Sequence, residues 1–265
     1  MRIFDFDSAI VRTPGRSVVD GIRSDPRAVP DYDAILKEHP AYVAALAAAG
    51  VAVDTLPPLE AFPDSVFVED PALVFGAGAI LLRPGAPSRR GERDAIRAAL
   101  TRHFPRVLEL EEGAHADGGD VLVTPDVVFV GLSQRTDAAG AAALLRHLET
   151  LGRKGRIVPT PRGVLHFKSA VSLLAEGTLL ATPAMASGGP FAGFEVLLTP
   201  DGEEDAANAL RVNDTVFVGA HFPRTRDLLA KAGYAVTPLP VREIGKLDAG
   251  LSCMSLRWHT LSQSP

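Results

Sequence analysis

Short apolar, β-branched runs alternate with stretches of helical periodicity along the whole chain. Tyr42, Leu46 and Ala49 follow Pro40 at helical spacing and stop at Gly50, which predicts a helix; Val51, Val53 and Leu56 then read as a strand. Ile96, Ala99, Leu100 and His103 predict a second helix between about Gly91 and Phe104. A third begins after Asp137, whose carboxylate suits an N-cap, and places Leu144, Leu145, Leu148 and Leu151 on one face. A fourth follows Pro223, carries Leu228, Leu229 and Ala232, and ends near Gly233.

The order of elements recurs. Ala72–Phe75 is followed by Ala79–Leu82, a helix and Val107–Leu108; Val121–Val123 by Val127–Val130, a helix and Ile157–Val158; and Ala209–Val212 by Thr215–Val218, a helix and Tyr234–Thr237. Val171–Leu174 and Thr178–Ala181 form a further strand pair. Tight turns such as Glu176-Gly177 and Asn213-Asp214 join the pairs. The starts lie roughly 40 to 55 residues apart, a spacing typical of repeat architectures. Units this small cannot bury a face alone, so they are expected to close around an axis or to stack. An ordinary α/β sheet satisfies the same pattern. No break in composition marks a boundary, so the expectation is one α/β domain over residues 1–265.

Composition changes this picture little. The chain is 46% apolar and 22% charged, ordinary for a globular protein. A net charge of −5, with no basic run or aromatic stripe, argues against a nucleic-acid partner. The longest apolar run, Val43 to Val53, is 11 residues, too short to span a bilayer. Arg2, Asp5 and Asp7 break up any signal-like N-terminus. Cys253 is the only cysteine, so no internal disulfide can form, which suits a reducing compartment. A cytoplasmic location is the resulting expectation. Oligomeric state is not readable, and a homodimer is left open.

Four polar clusters interrupt apolar surroundings. Asp64, Glu69 and Asp70 lie within Pro63–Pro71, where buried acids would need cations. Asp117 and Asp120 flank Gly118-Gly119, glycines that allow a close backbone approach. His166 and Lys168 sit in Leu165–Ser169. Lys246–Arg257 places Asp248 and Gly250 ahead of Cys253, at the mouth of a strand-like run. Each cluster also has a plain structural reading: a solvated turn, an Asp-Gly turn, a packed histidine, a small buried thiol. No phosphate loop, dinucleotide fingerprint, zinc-finger spacing or Gly-x-Ser-x-Gly elbow is present.

Taken together, Phe67–Pro71, Arg83-Pro84-Gly85 to Ser88-Arg89-Arg90, Asp117–Asp120, Gly131–Thr136, His166–Lys168 and Asp248–Cys253 resemble the dimethylarginine dimethylaminohydrolase family of guanidino-group-modifying enzymes. The motifs occur in the family's order, and the likeness runs from Ala9 to about Leu256. The resemblance implies an α/β propeller, a pseudo-fivefold ring of five ββαβ-type units around a central active-site channel. It implies Cys253 as nucleophile, His166 as general acid/base and Asp117 as its companion acid, where some relatives carry Glu. It assigns Asp64, Glu69, Asp70 and Asp248 to an acidic pocket for a guanidinium, and Arg89 and Arg135 to a clamp on an α-carboxylate. The Gly15–Ser24 loop would be a lid, and Ile22 would offer its carbonyl to the substrate's amine.

The implied partner is a small-molecule guanidino amino acid, handled without metal or organic cofactor. A guanidinium is a poor electrophile, and carboxylates must hold it planar until a thiolate attacks. The acids should also raise the thiol's pKa before the cation arrives. Arginine deiminase chemistry on the same scaffold, a cysteine peptidase and a non-catalytic binding ring are the alternatives. The joint presence of Cys253, His166 and Asp117 disfavours the last, and the acidic pocket disfavours the peptidase.

Overall fold

The structure is a computed structural model and describes residues 2–261. Strand β1 (Ser8–Arg12) leads through helix α1 (Tyr32–Ala48) to β2 (Ala52–Leu56). Then come β3 (Ala72–Phe75), β4 (Gly78–Leu81), α2 (Glu92–His103) and β5 (Val107–Glu109), followed by β6 (Val121–Val123), β7 (Val128–Leu132), α3 (Ala138–Thr150) and β8 (Gly155–Pro159). The next unit is β9 (Val171–Ala175), β10 (Thr178–Ala181), α4 (Pro183–Gly188) and β11 (Glu195–Leu198). The last is β12 (Leu210–Val212), β13 (Thr215–Gly219), α5 (Pro223–Lys231) and β14 (Ala235–Leu239), after which α6 (Arg242–Gly245) and β15 (Leu256–Trp258) complete the chain's elements.

The strands form five three-stranded sheets of one design. A central strand pairs antiparallel with the strand before it and parallel with the strand after its helix: β4 between β3 and β5, β7 between β6 and β8, β10 between β9 and β11, β13 between β12 and β14. The parallel step requires a crossover, which each helix supplies. In the fifth sheet β1 is central, parallel to β2 and antiparallel to β15, with Ser8 opposite Trp258. These five repeats are the pseudo-fivefold α/β propeller that the resemblance implied.

The apolar core explains why the units stay together. Its clusters lie between neighbouring sheets rather than within them. Leu56, Leu81 and Ile96 join the first unit to the second; Ile80, Val130 and Leu144 join the second to the third. Phe129, Phe167 and Leu179 join the third to the fourth; Leu180, Val218 and Leu229 join the fourth to the fifth. Val11, Tyr42, Leu46 and Phe217 then join the fifth back to the first, closing the ring. No small unit could hide its apolar faces alone, as expected of repeat folds.

Several elements differ from the sequence expectation, among them α1 and β11. Helix α1 starts at Tyr32, not after Pro40, with Asp31 as N-cap accepting from the Ala34 amide at 2.8 Å. Pro40 lies inside the helix on its exposed face, where the carbonyl left without a donor can meet water. Strand β11 also went unread, because α4 is a short turn and Leu198 is exposed. No helix among the described residues is long and apolar enough to cross a membrane.

Candidate active site

The strand that pairs antiparallel with each sheet's central strand is preceded by a short 3-10 turn: Pro63–Val66 ahead of β3, Gly118–Asp120 ahead of β6, Phe167–Ser169 ahead of β9, Glu204–Ala207 ahead of β12 and Ser252–Met254 ahead of β15. Five equivalent turns around one axis bring five sequence-distant segments together. They carry most of the chemistry. A small cavity of about 30 Å³ is lined by Cys253, His166, Asp64, Asp70, Asp248 and Arg135, with Ile22 and Arg89 at its wall. A broader groove of about 960 Å³ adjoins it, sharing Leu165, Asp248 and Ala249 and reaching Asn208 and His221.

His166 Nε2 lies 3.0 Å from Asp117 Oδ2. Asp117 is fully buried; its Oδ1 accepts from the Gly85 amide at 2.7 Å and its own amide donates to Thr136 Oγ1 at 3.1 Å. The acid is therefore fixed before it meets the imidazole. Gly119 is needed for the ring's position, since a Cβ there would lie 2.8 Å from His166 Cγ and Nδ1. The paired glycines serve the protein's own packing: a Cβ at Gly118 would meet the Glu69 carbonyl at 2.0 Å. Asp120 is structural, with Oδ2 accepting from the hydroxyls of Ser133 and Thr136, each at 2.6 Å, and Oδ1 from the Phe167 amide at 2.9 Å.

Burial alone would lower the pKa of His166, but the Asp70 charge, the Asp117 hydrogen bond and the nearby Asp120 and Asp117 charges raise it to about 9. The imidazole is thus a cation at neutral pH. The Cys253 thiol is raised as well: burial, then the charges of Glu69 and Asp70, push it up to about 11 against the opposing pull of a backbone hydrogen bond at Gly250 and of Lys168. At neutral pH the pair is thiol and imidazolium. Burial also raises Asp64, offset by the Arg89 charge and the Ile22 amide. Asp70, Asp117 and His166 place ligand atoms within 4.8 Å of one another and could hold a metal ion.

Two of the residues named by the resemblance are largely engaged by the protein's own groups. Glu69 does not line the cavity. Its carboxylate accepts from Ser252 Oγ at 3.1 Å and Arg257 Nη2 at 3.2 Å and is ion-paired with Lys168, so it belongs to a buried cluster beneath Cys253. That cluster faces a separate cavity of about 590 Å³. The cause is local: Glu69 and Asp70 lie in a turn, where the Asp70 amide donates back to the Phe67 carbonyl and the Glu69 amide to the Cys253 carbonyl, and their side chains leave it toward different partners. Arg89 is not free to act as a bidentate clamp. Its guanidinium donates to both Glu92 oxygens, to the carbonyls of Asp64 and Phe67, and to Asp70. Only one N–H, on Nη1, is left over, so Arg89 chiefly anchors Asp70. Arg135 has no side-chain hydrogen bond or ion pair among the described residues and lies half-buried at the cavity wall.

The Gly15–Ser24 loop covers the site and is held there by acids. The Ile22 amide donates to Asp64 Oδ1 at 2.9 Å. The Ser24 amide and hydroxyl donate to Asp248 at 2.6 and 2.8 Å, and Glu60 accepts from the Arg16 and Ser17 amides at 2.8 and 2.9 Å. Asp248 adopts a left-handed backbone (φ 53°), which Asp tolerates better than most residues. Sequence reasoning missed Asn208, whose side chain contacts both Ser252 and Cys253. Its register, immediately before a unit's first strand, was the available signal.

Comparison with known proteins agrees with this arrangement. Residues 56–185 match the family model for arginine deiminase. The chain is 41% identical to N(G),N(G)-dimethylarginine dimethylaminohydrolase of Pseudomonas aeruginosa, over 96% of this chain and 100% of that protein. It is 35% identical to the enzyme of the same name from Streptomyces coelicolor, over 96% of this chain and 97% of that one. A solved structure of the Pseudomonas aeruginosa enzyme, a Cys-to-Ser variant complexed with citrulline, superposes with a TM-score of 0.93 at 41% identity and covers 96% and 100% of the two chains. With a shared fold, motif order and near-complete coverage at this identity, the chain belongs to the dimethylarginine dimethylaminohydrolase family.

Proposed function

We propose that the chain hydrolyses free Nω-methylated arginine, asymmetric dimethylarginine and monomethylarginine, to citrulline and a methylamine. The observation that carries this reading is the cavity: a cysteine and a histidine–aspartate pair beside Asp64 and Asp70, with Arg135 at the wall. Carboxylates in a dry site hold a planar cation through charge-assisted hydrogen bonds. A guanidinium at one end and a carboxylate held by Arg135 define a free amino acid with a cationic tail.

In this reading the approaching cation offsets the acids that keep Cys253 protonated, and the thiol releases its proton to solvent, since His166 is already protonated. The thiolate adds to the guanidinium carbon. His166, already protonated, gives its proton to the departing amine, and the C–N bond breaks. A planar thiouronium ester remains on Cys253. The now neutral His166 takes a proton from water, whose oxygen attacks the same carbon; collapse of the adduct breaks the C–S bond, passes the hydroxyl proton to the departing sulfur, restores the Cys253 thiol and releases citrulline. Proton transfer of this kind contributes about 10²- to 10⁴-fold. Asp117 orients the imidazole throughout. A cavity of about 30 Å³ has room for roughly one water molecule, so the Gly15–Ser24 loop must move to admit substrate. A catalytic thiol suits the reducing cytoplasm.

The test is citrulline release from asymmetric dimethylarginine, monomethylarginine and arginine side by side. Preference for the methylated forms, with the methylamine released, is the expected result. Preference for arginine, with ammonia released, would replace this reading with the deiminase chemistry named by the matching family model.

A further inference from the structure

Four of the five strand-leading turns supply groups already discussed: Asp64 to Asp70, Asp117 to Asp120, His166 to Lys168, and Cys253. The fifth, Glu204–Ala207 ahead of β12, delivers Asn208. This side chain is buried and its amide spans the nucleophile turn. Oδ1 accepts from the Ser252 amide at 3.1 Å, and Nδ2 faces Cys253 Sγ at 3.6 Å. The first contact fixes the orientation of the amide: a backbone N–H can only meet the carbonyl end, so the NH₂ end must point at sulfur. The chain makes room for this arrangement at Gly250, where a Cβ would lie 2.4 Å from Asn208 Cγ.

The charged groups around Cys253 make a neutral donor meaningful. Glu69 and Asp70 oppose the thiolate and Lys168 favours it, while His166, Asp64, Asp248 and Arg135 surround the cavity on the other side. An aspartate at 208 could keep the Ser252 contact but would aim a carboxylate oxygen at the sulfur. A lysine or arginine would add a cation that competes with a guanidinium for the acids. An amide avoids both penalties.

We propose that Asn208 is a positioning residue for the nucleophile, holding the Ser252–Cys253 turn and directing an N–H at the sulfur so that its anionic form is stabilised and aimed into the cavity. This rests on Cys253 being the nucleophile. It divides labour between two donors: Lys168 acts by charge from beneath, Asn208 by a directed hydrogen bond from the side.

The experiment is alkylation of Cys253 by iodoacetamide as a function of pH, without substrate, in wild type, Asn208→Asp and Asn208→Ala. Citrulline affinity and kcat and KM for asymmetric dimethylarginine are measured on the same preparations. Asn208→Asp keeps the Ser252 contact and reverses the group facing sulfur. Its alkylation midpoint should rise by about one pH unit, its rate at pH 8 should fall about tenfold, and kcat should fall about 10²-fold with KM and citrulline affinity within threefold. Asn208→Ala should show a smaller shift in the same direction. If Asn208→Asp does not fold, the alanine variant alone decides. Wild-type alkylation profiles in folded variants overturn the proposal, and so does loss of fold in both, which would leave Asn208 a structural residue. The alkylation readout needs no turnover, so it separates failure of this proposal from failure of the substrate assignment.

Discussion

Glu69 and Asp70 are sequence neighbours, chemically alike and equally buried at 4% exposure, yet they serve different regions. Glu69 is ion-paired with Lys168 and Arg257 and accepts from Ser252, which leaves it little capacity for a ligand. Asp70 has one anchoring cation, Arg89, plus the Gly119 amide, and its charge falls on His166 and on the cavity. A buried acid whose partners are all internal is part of the scaffold. One with a single anchor, at the wall of a cavity, is placed to receive a cation. Residue type does not separate the two cases; the partners do.

The comparison can be broken by neutralising each acid in turn. Asp70→Asn should lower kcat/KM by about 10²- to 10³-fold, since removing one member of a buried charge pair costs about 2–5 kcal/mol, with only a modest fall in Tm because Arg89 keeps Glu92. Enzyme assays with asymmetric dimethylarginine alongside thermal melts check this; a wild-type rate would remove Asp70 from the site. Glu69→Gln should show the opposite balance. It removes the carboxylate partner of two half-buried cations, Lys168 and Arg257, at a cost of about 3 kcal/mol, or roughly 10 °C in Tm. Because Glu69 opposes the thiolate, Cys253 in this variant should alkylate faster than wild type at a given pH. A variant with wild-type Tm and a large rise in KM would reverse the assignment.

His166 sharpens the contrast through pH. Its folded pKa, about 9, is above the unfolded value of about 6.5. The stability it contributes is therefore fully present below about pH 6.5 and lost as pH rises through about 9. Denaturant titrations from pH 6 to 10 should show this decline in wild type and a flatter profile in His166→Gln; parallel profiles would mean the imidazole is not held as a cation. The smallest effect expected is that of Arg135→Ala, which should raise KM for amino-acid substrates roughly 10-fold and leave kcat nearly unchanged. Equal loss against guanidines lacking a carboxylate would argue against a clamp.

Much of this was legible in the sequence where the signal is periodic. Helices α2, α3 and α5 follow from spaced leucines, alanines and an isoleucine, and the Asp137 cap holds as read, accepting from the Gly140 amide at 2.6 Å. Helix α1 was mis-started because Pro40 looks like a beginning; only Asp31 and the Ile35, Tyr42, Leu46 stripe reveal otherwise. The sharing of one sheet by β1 and β15 leaves no local mark, since pairing partners so far apart are chosen by the closed ring. In the site, Cys253, His166, Asp64, Asp70, Asp248 and Arg135 gather around one cavity while Glu69 faces another, and Arg89 and Arg135 are indistinguishable in the sequence until Glu92 and Asp70 are seen to occupy the first. Asn208 carries no sequence signal of its own, because a neutral amide beyond the acidic Glu203–Asp205 stretch reads as one more surface turn.

The β1–β15 pairing has a consequence for how the protein is made. Strand β1 is synthesised long before residues 256–258 and must wait for them before its antiparallel neighbour exists. Cys253 lies just ahead of that late strand. On the ribosome, four sheets can form while the last joint stays open, because long-range pairings are made late and slowly. The nucleophile would reach its acids only when the ring shuts, so a partly synthesised chain carries the binding half of the site without the group that reacts.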